Sequence, residues 1–166
     1  PVQQIIDTDR TVVDQMIKAN DYFDLIIPRG GAGLINYIAK ESTVPAITGG
    51  IGVVHAFADA TADVEKSADI LFNAKVQRPT VCNALDTLLA HSTVAPTLLP
   101  LVAAKMNAAG VEMRCDQRAL SLIGPANASL VKAAAEEDFG QEFLALVLSV
   151  RVVDSLDEAL AHIEEH

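Results

Sequence analysis

The chain contains no tryptophan, and aromatic side chains supply only 4% of its 166 residues. Because aromatics are scarce, aliphatic residues and alanine must fill the hydrophobic core, as is usual where helices pack on a parallel sheet. Hydrophobic residues make up 51% of the sequence and charged residues 20%, which excludes an intrinsically disordered chain. The length suffices for one domain or for two small lobes.

Basic residues are also few, since 12 lysines and arginines stand against 22 aspartates and glutamates, with a formal net charge of −10. No lysine- or arginine-rich stripe interrupts this acidic composition, so nucleic acid is not an expected partner. The longest apolar runs, such as residues 144–150, are too short to cross a bilayer. A membrane is therefore not an expected partner either.

Cysteine occurs only twice, at Cys82 and Cys115, and the sequence shows no signal peptide. This pattern favours a reducing, cytoplasmic location over a disulfide framework. Cys115 follows a short predicted strand, and nothing near it indicates chemistry. The chain begins at Pro1 without methionine and stops at His166 within a helical pattern. We therefore expect an internal piece of a longer protein.

Short apolar runs alternate with longer amphipathic ones, which is typical of βα units and predicts an α/β fold with a mostly parallel sheet. The apolar runs predict strands over residues 23–27, 44–47, 53–58, 85–91, 111–114 and 144–153. Amphipathic spacing predicts helices over residues 7–19, 34–40, 62–75, 94–109, 116–122 and 156–162. If there are two lobes, the joint falls near residues 77–79, which divides the chain into 1–76 and 77–166.

A glycine-rich turn follows the first predicted strand. Arg29-Gly30-Gly31-Ala32-Gly33 stands between a strand and a helix, where backbone N–H groups can face a phosphate. The match to the dinucleotide-binding fingerprint is partial, because its spacing and its acidic residue about 20 positions later are missing. A cofactor site and a tight structural turn are both open interpretations. A second run, Gly49-Gly50-Ile51-Gly52, links two predicted strands.

Cys82 lies in the segment Asn73-Ala74-Lys75-Val76-Gln77-Arg78-Pro79-Thr80-Val81-Cys82-Asn83-Ala84, between a predicted helix and a predicted strand. A thiol is a useful nucleophile only as thiolate, and the preceding cations Lys75 and Arg78 would favour that form. Free cysteine is also among the most buried residue types, so an inert core position is the alternative.

The histidines carry a weaker signal. His162 and His166 have i, i+4 spacing, but the metalloprotease pattern needs glutamate directly after the first histidine, and Ile163 stands there. We expect a solvated helix end and no metal site. His55 and His91 have no partner that the sequence identifies.

Three motifs follow one another along the chain: residues 26–35, the turn Ile47-Thr48-Gly49-Gly50-Ile51-Gly52, and the Cys82 segment. Together they resemble the gamma-glutamyl phosphate reductases, also called glutamate-5-semialdehyde dehydrogenases, of the aldehyde dehydrogenase superfamily. Residues 142–148 and 154–159 continue the likeness. The resemblance implies an aldehyde dehydrogenase-like fold, with the C-terminal part of the NADP-binding lobe in 1–76 and the catalytic lobe in 77–166.

The resemblance also implies a reaction. It is the NADPH-dependent reduction of L-glutamyl 5-phosphate to L-glutamate 5-semialdehyde, with release of phosphate, in proline biosynthesis. Cys82 would be the nucleophile and would form a thioester. The implied cofactor-binding residues are Arg29, Gly30, Gly31, Gly33 and Glu142, and the implied substrate-binding residues are Arg78 and Asn83. The full-length protein is expected to form a homo-oligomer, and this chain alone is expected to be inactive.

Thr48 departs from the hydrolytic aldehyde dehydrogenases, which generally carry a glutamate at the matching position to activate water. Threonine cannot act as that base at neutral pH. The resemblance therefore implies a thioester that is spared from water and left for phosphate or hydride. Two alternatives stay open: another acylating aldehyde dehydrogenase that uses coenzyme A or phosphate, and a non-catalytic nucleotide-binding or assembly module.

Overall fold

A computed structural model describes residues 2–50, 52–124 and 129–166, without the side chain of Ala32. The chain divides into two compact units, Pro1–Ile51 (unit 1) and Gly52–His166 (unit 2). The predicted boundary at residues 76 and 77 separates functional lobes and stays a prediction. Within the described residues, no helix combines the length and the apolar character that a membrane span requires.

The described part of unit 1 contains two helices, α1 (Thr11–Met16) and α2 (Ala32–Glu41). The Asp9 carboxylate accepts a hydrogen bond from the Thr11 N–H at 2.9 Å and so supports the start of α1. The helix predicted over 7–19 is present, but it covers only Thr11–Met16. A small core forms from the buried side chains of Ile17, Ile38 and Val44.

The two strands predicted in unit 1 are reduced to one parallel bridge between Ile26 and Ala46, so that expectation is wrong. The Ile26 N–H donates to the Pro45 carbonyl at 2.8 Å, and the Ile47 N–H donates to the Ile26 carbonyl at 2.9 Å. The next bonds of a parallel ladder would need the N–H groups of Pro28 on one side and of Pro45 on the other. Proline has no N–H, so the ladder cannot extend in either direction.

The described residues of unit 2 form a sheet of five parallel strands with helices, in the order β1-β2-β5-β3-β4. The strands are β1 (His55–Ala58), β2 (Thr87–His91), β3 (Glu112–Cys115), β4 (Val131–Ala133) and β5 (Val147–Val153). The helices are α3 (Val64–Val76), α4 (Ala95–Ala108), α5 (Gln117–Ile123) and α6 (Leu156–Glu165), with a short 3-10 helix at Glu136–Asp138. The predicted α/β architecture with a mostly parallel sheet is confirmed.

Side-chain caps fix the starts of three of these helices. Asp63, Asp116 and Ser155 accept hydrogen bonds from backbone N–H groups in the first turns of α3, α5 and α6 respectively. The carboxylate of Asp116 also accepts from the Val152 N–H at 3.0 Å, which ties α5 to β5. At the end of α4, Gly110 takes a φ of +75°, a conformation that glycine adopts without strain.

Two expectations in unit 2 need correction. The strand predicted over 144–153 begins only at Val147, because Leu144 has a φ of +50° and cannot lie in a strand. The sequence also gave no sign of β4, which is three residues long. The helix predicted over 116–122 is present at Gln117–Ile123, and Pro125, two residues after its end, lies outside the described residues.

The core of unit 2 lies on both faces of the sheet. Alternation along β2 sends Leu88 and Ala90 to a large cluster with α3, α4 and α5, and sends Leu89 to a small cluster with Ala159 of α6. The large cluster includes the fully buried side chains of Leu98, Leu99, Val102, Met106, Met113 and Val150. The sheet is thus a rigid support for the loops at its strand ends.

Candidate active site

Cys82 lies in the loop of residues 77–84, the Cys82 loop, which connects the end of α3 to β2. The cysteine is exposed and unpaired. Arg78 and Asn83, both predicted to bind substrate, are exposed in the same loop. The loop turns tightly, since the Ala84 N–H donates to the Val81 carbonyl at 3.0 Å. The structure thus presents the thiol and both predicted substrate-binding residues on one short surface segment.

A buried clamp closes the base of the Cys82 loop. The Leu85 N–H donates to the Ala74 carbonyl at 3.0 Å, and the Lys75 Nζ donates to the Leu85 carbonyl at 2.7 Å. The same ammonium lies 3.8 Å from the Asp86 Oδ1, and both side chains are buried, with exposed fractions of 0% and 3%. The loop therefore leaves and re-enters the core at points that are bonded to each other.

Lys75 is fully buried, and this burial lowers the pKa of its ammonium group, while Asp86 acts in the opposite direction. A buried charge without a partner is strongly unfavourable, so each member of the pair depends on the other. Lys75 was considered in the sequence only as a cation near the thiol. The structure gives it a different position, inside the core beneath the loop.

Glu142 is also tied to this clamp through the residue that follows it. The Phe143 N–H donates to the Asp86 Oδ1 at 3.2 Å. The Phe143 ring lies 6.0 Å from the Lys75 Nζ and 5.1 Å from the Arg114 guanidinium carbon, an arrangement in which cations favour an aromatic face. The segment that carries Glu142 and the Cys82 loop are thus anchored to the same carboxylate.

The first glycine-rich turn lies in unit 1, at the start of α2. An open groove of about 860 Å³ lies beside it, lined by Arg10, Thr11, Val13, Asp14, Gly30, Gly31, Gly33, Leu34 and Tyr37. Three of the predicted cofactor-binding residues therefore share one groove, whereas Arg29 is exposed and does not line it. The Tyr37 hydroxyl donates to the Asp14 carboxylate at 2.5 Å and joins the two helices across the groove.

The space beside two of these glycines is open. A Cβ added at Gly31 or Gly33 would meet no atom within 4 Å, so a side chain there would occupy open space. Gly31 has an extended backbone that any residue can adopt, so its conformation does not require glycine. A Cβ at Gly30 would lie 2.9 Å from the Leu34 Cδ2, the end of a flexible and exposed side chain that can move aside, so packing does not require glycine there either. The binding of a cofactor in this groove stays a prediction.

Cys115 is 1% exposed in β3. Its burial, and secondarily the charge of Asp116, raise the pKa of its thiol to about 12. Such a thiol is inert at neutral pH. The inert core position that was the alternative for Cys82 is therefore the position of Cys115, whereas Cys82 itself is exposed.

Three histidines that the sequence left unassigned meet in unit 2 as a histidine cluster of His55, His162 and His166. The ring centroids of His55 and His162 are 5.4 Å apart, and those of His162 and His166 are 4.5 Å apart. His162 is only 5% exposed, so the expected solvated helix end is wrong at this residue. Among the described residues, no group of three His, Cys, Asp or Glu side chains is arranged to hold a metal ion.

We expect unit 2 to lose stability as the pH falls from 7.5 to 5. Burial, and then the neighbouring charges of His166 and Arg151, lower the pKa of His162 from 6.5 to about 4. Below pH 6.5 the unfolded chain binds a proton at His162 that the folded chain does not bind. The contribution of neutral His162 to the free energy of unfolding is therefore complete well above pH 6.5 and is lost as the pH falls toward 4. The loss at pH 5 should be on the order of 1 to 2 kcal/mol, measured by urea denaturation with circular dichroism.

His162→Phe keeps a ring in the cluster and cannot take up a proton, so this variant should lose most of the pH dependence. His91→Asn is the control, because His91 lies at the end of β2 outside the cluster. An unchanged pH dependence in His162→Phe would contradict the assignment of the effect to this residue.

Sequence reasoning missed Lys75, Asp86 and the histidine cluster. A signal for Lys75 was present, since Ala68, Leu71 and Lys75 are the buried residues of α3 and follow helical i, i+3, i+7 spacing. A lysine on the apolar face of a helix indicates a buried partner. That this partner is Asp86, which follows the Cys82 loop, could not be predicted, because it depends on how the loop turns.

Comparison with known proteins gives a consistent result for the whole chain. It is 52% identical over 165 residues to a gamma-glutamyl phosphate reductase of Dehalococcoides mccartyi, an alignment that covers 99% of this chain and 39% of that protein. No protein-family model matches the chain. The resemblance identified from the glycine turns and the Cys82 segment is confirmed.

Solved structures agree with the fold. The crystal structure of gamma-glutamyl phosphate reductase from Thermotoga maritima superposes with a TM-score of 0.85 at 38% identity, covering 97% of this chain and 38% of that one. An acetylating aldehyde dehydrogenase from Geobacillus thermoglucosidasius superposes with a TM-score of 0.64 at 18% identity, covering 94% of this chain and 41% of that one. The aldehyde dehydrogenase-like fold is confirmed. The chain spans about two-fifths of the length of these relatives.

Proposed function

We propose that this chain carries the nucleophile and part of the cofactor site of a gamma-glutamyl phosphate reductase. The observation that supports this most directly is the exposed Cys82 on a loop anchored by a buried ion pair, in a chain 52% identical to such a reductase. Because the chain spans only part of its relatives, we assign the activity to a polypeptide of the relatives' full length that includes it. The reaction is the reduction of L-glutamyl 5-phosphate to L-glutamate 5-semialdehyde.

The first step belongs to Cys82. The thiolate sulfur attacks the acyl carbon of the acyl phosphate, the bond between that carbon and the phosphate oxygen breaks, and phosphate leaves with the electron pair. A thioester on Cys82 remains, and one difficult reduction becomes two easier steps. The exposed position of the thiol leaves room for the substrate. The backbone N–H of Cys82 is our candidate donor to the oxyanion that forms at this carbon.

Two neighbours of Cys82 are candidates for substrate binding. Arg78 carries a fixed positive charge and could bind the phosphate or the substrate carboxylate. Asn83 offers an amide that both donates and accepts hydrogen bonds. Both are exposed in the Cys82 loop, so their side chains are open to a substrate bound at Cys82.

NADPH is the proposed cofactor, and when bound it supplies the hydride that reduces the thioester. In unit 1, Gly30, Gly31 and Gly33 would hold its phosphates along the groove at the start of α2, and exposed Arg29 would add a positive charge. In unit 2, Glu142 would bind the nicotinamide ribose. After reduction, the bond between carbon and the Cys82 sulfur breaks, the sulfur recovers its electron pair, and the semialdehyde leaves.

Thr48 supports phosphate over water as the partner of the thioester. It is exposed in unit 1, and its hydroxyl cannot act as a general base at neutral pH. The two unpaired cysteines support a cytoplasmic protein. For the full-length protein, a homo-oligomer stays part of the proposal.

We expect phosphate-dependent reduction of NADP⁺ when glutamate 5-semialdehyde is supplied to the full-length polypeptide. In this direction phosphate must attack the Cys82 thioester, so turnover should saturate with phosphate and fall to background without it. Formation of NADPH, followed by its absorbance, measures the rate. Turnover that needs coenzyme A in place of phosphate would assign an acylating aldehyde dehydrogenase. A folded protein without any turnover would favour a non-catalytic binding module.

A further inference from the structure

One buried residue, Asp86, directly follows the Cys82 loop and Leu85 in the chain, and its carboxylate is bonded to the backbone of the Glu142 segment. Asp86 is 2% exposed and lies four residues after Cys82, at the start of β2. Its Oδ1 accepts from the Phe143 N–H at 3.2 Å, and its Oδ2 accepts from the Val54 N–H at 3.2 Å. Each oxygen therefore has its own backbone donor, and Phe143 directly follows Glu142.

The backbone N–H and carbonyl of Asp86 are hydrogen-bonded as well. Its N–H donates to the Val54 carbonyl at 2.9 Å, and its carbonyl accepts from the Ser149 N–H at 2.8 Å. The residue is therefore fixed to the strand on each side of β2, while its side chain reaches the Glu142 segment. Because Lys75 binds the carbonyl of the preceding Leu85, the exit of the Cys82 loop cannot shift without disturbing these bonds.

Only a carboxylate satisfies this arrangement. An amide at the same position would turn its NH₂ group toward one of the two backbone N–H donors, and two donors cannot bond each other. The Lys75 ammonium lies 3.8 Å from the Oδ1 and is the counterion of this buried carboxylate. The pair is also costly, because burying two charges often stabilises a fold less than apolar residues of the same volume would.

We propose that Asp86, with Lys75 as its counterion, is a positioning residue that holds the Cys82 loop and the Glu142 segment in one fixed relation. This proposal rests on the proposed function, in which Cys82 forms the thioester and Glu142 binds the cofactor. Displacing a reacting group by about 1 Å can cost a factor of 100 in rate. Asp86 stands at the exit of the Cys82 loop and its carboxylate bonds the Glu142 segment, so it would prevent such a displacement.

The test separates positioning from stability with isosteric variants. Asp86→Asn removes one acceptor, and Lys75→Met leaves the carboxylate buried without its counterion. The double variant, Lys75→Met with Asp86→Asn, removes both charges at nearly the same volume. We expect the double variant to recover much of the urea stability that Lys75→Met loses, because no uncompensated charge is left buried.

In the full-length polypeptide, Asp86→Asn and the double variant should both lose roughly 100-fold in kcat, while the KM values for NADP⁺ and semialdehyde stay within about threefold. A merely structural pair would give another result, since turnover would recover together with stability in the double variant. Recovery of kcat in that variant overturns the proposal.

A second measurement needs no turnover. Hydrogen exchange of the 166-residue chain by NMR should show faster exchange of the Phe143 and Leu85 amides, by about tenfold or more, in Asp86→Asn and in the double variant. Asp69→Asn is the matched control, because Asp69 pairs with Lys105 at 2.8 Å on the exposed surface of the same unit. This control should leave exchange and kcat unchanged.

The two measurements keep the two hypotheses apart. If the unmodified polypeptide shows no turnover, the proposed reductase function fails, and amide exchange alone decides the positioning proposal. Faster exchange at Phe143 with unchanged exchange at Leu85 would show that the carboxylate does not hold the two segments together, and would overturn it.

Discussion

Cys82→Ser should reduce phosphate-dependent turnover of the full-length polypeptide by about 1,000-fold or more. A serine hydroxyl is essentially never ionised at neutral pH, so the attack that forms the thioester cannot occur at a useful rate. The variant should fold as the unmodified protein does, because the Cys82 side chain is exposed. The expected loss is therefore one of chemistry, seen in kcat with little change in urea stability.

Cys115→Ala is the control for this experiment. It removes the other thiol from the core, where Cys115 is 1% exposed, and should cost some stability while leaving kcat unchanged. Mass spectrometry of the protein mixed with an acyl phosphate gives a second readout, since a thioester adds the mass of the acyl group only when Cys82 is present. Retained turnover in Cys82→Ser would remove the cysteine mechanism altogether.

The sequence predicted the helices of unit 2 well because their local signals agree with their packing. The last helix, predicted from residue 156, is an example, since the Ser155 hydroxyl accepts a capping hydrogen bond from the Glu158 N–H at 3.1 Å. Strand β4 was missed because Val131-Lys132-Ala133 is too short for any period to show. In unit 1, the predicted strands failed at Pro28 and Pro45, whose effect appears only when the pairing register is known.

Only part of the candidate site could be predicted from the sequence. Cys82, Arg78 and Asn83 are neighbours in sequence, so their shared loop follows from the sequence itself. Asp86 and Phe143 are far apart in the chain and meet only because β2 and β5 are adjacent in the sheet. The same applies to the histidine cluster, whose members come from β1 and α6 or its end. Topology, which no local pattern encodes, brings these groups together.

Iodoacetamide should modify Cys82 in the native 166-residue chain at pH 8 at least about 100-fold faster than it modifies Cys115. The reagent reacts with thiolate, and burial raises the pKa of Cys115 to about 12, so only roughly one molecule in 10,000 is ionised there at pH 8. Burial also blocks access, since Cys115 is 1% exposed whereas Cys82 is exposed. Digestion followed by peptide mass spectrometry gives both rates from one time course.

A control in denaturing urea shows whether the difference in rate comes from the fold, through the raised pKa and the blocked access of Cys115, or from the local sequence around each cysteine. Once unit 2 is unfolded, both thiols face solvent and should react at similar rates, because the desolvation that raises the pKa of Cys115 is gone. Native Cys82→Ser protein should take up essentially no label. Equal rates at both cysteines in the native chain would mean that unit 2 opens as fast as the reagent reacts. Such opening is incompatible with a clamp of buried Lys75 and Asp86 that keeps the Cys82 loop in place.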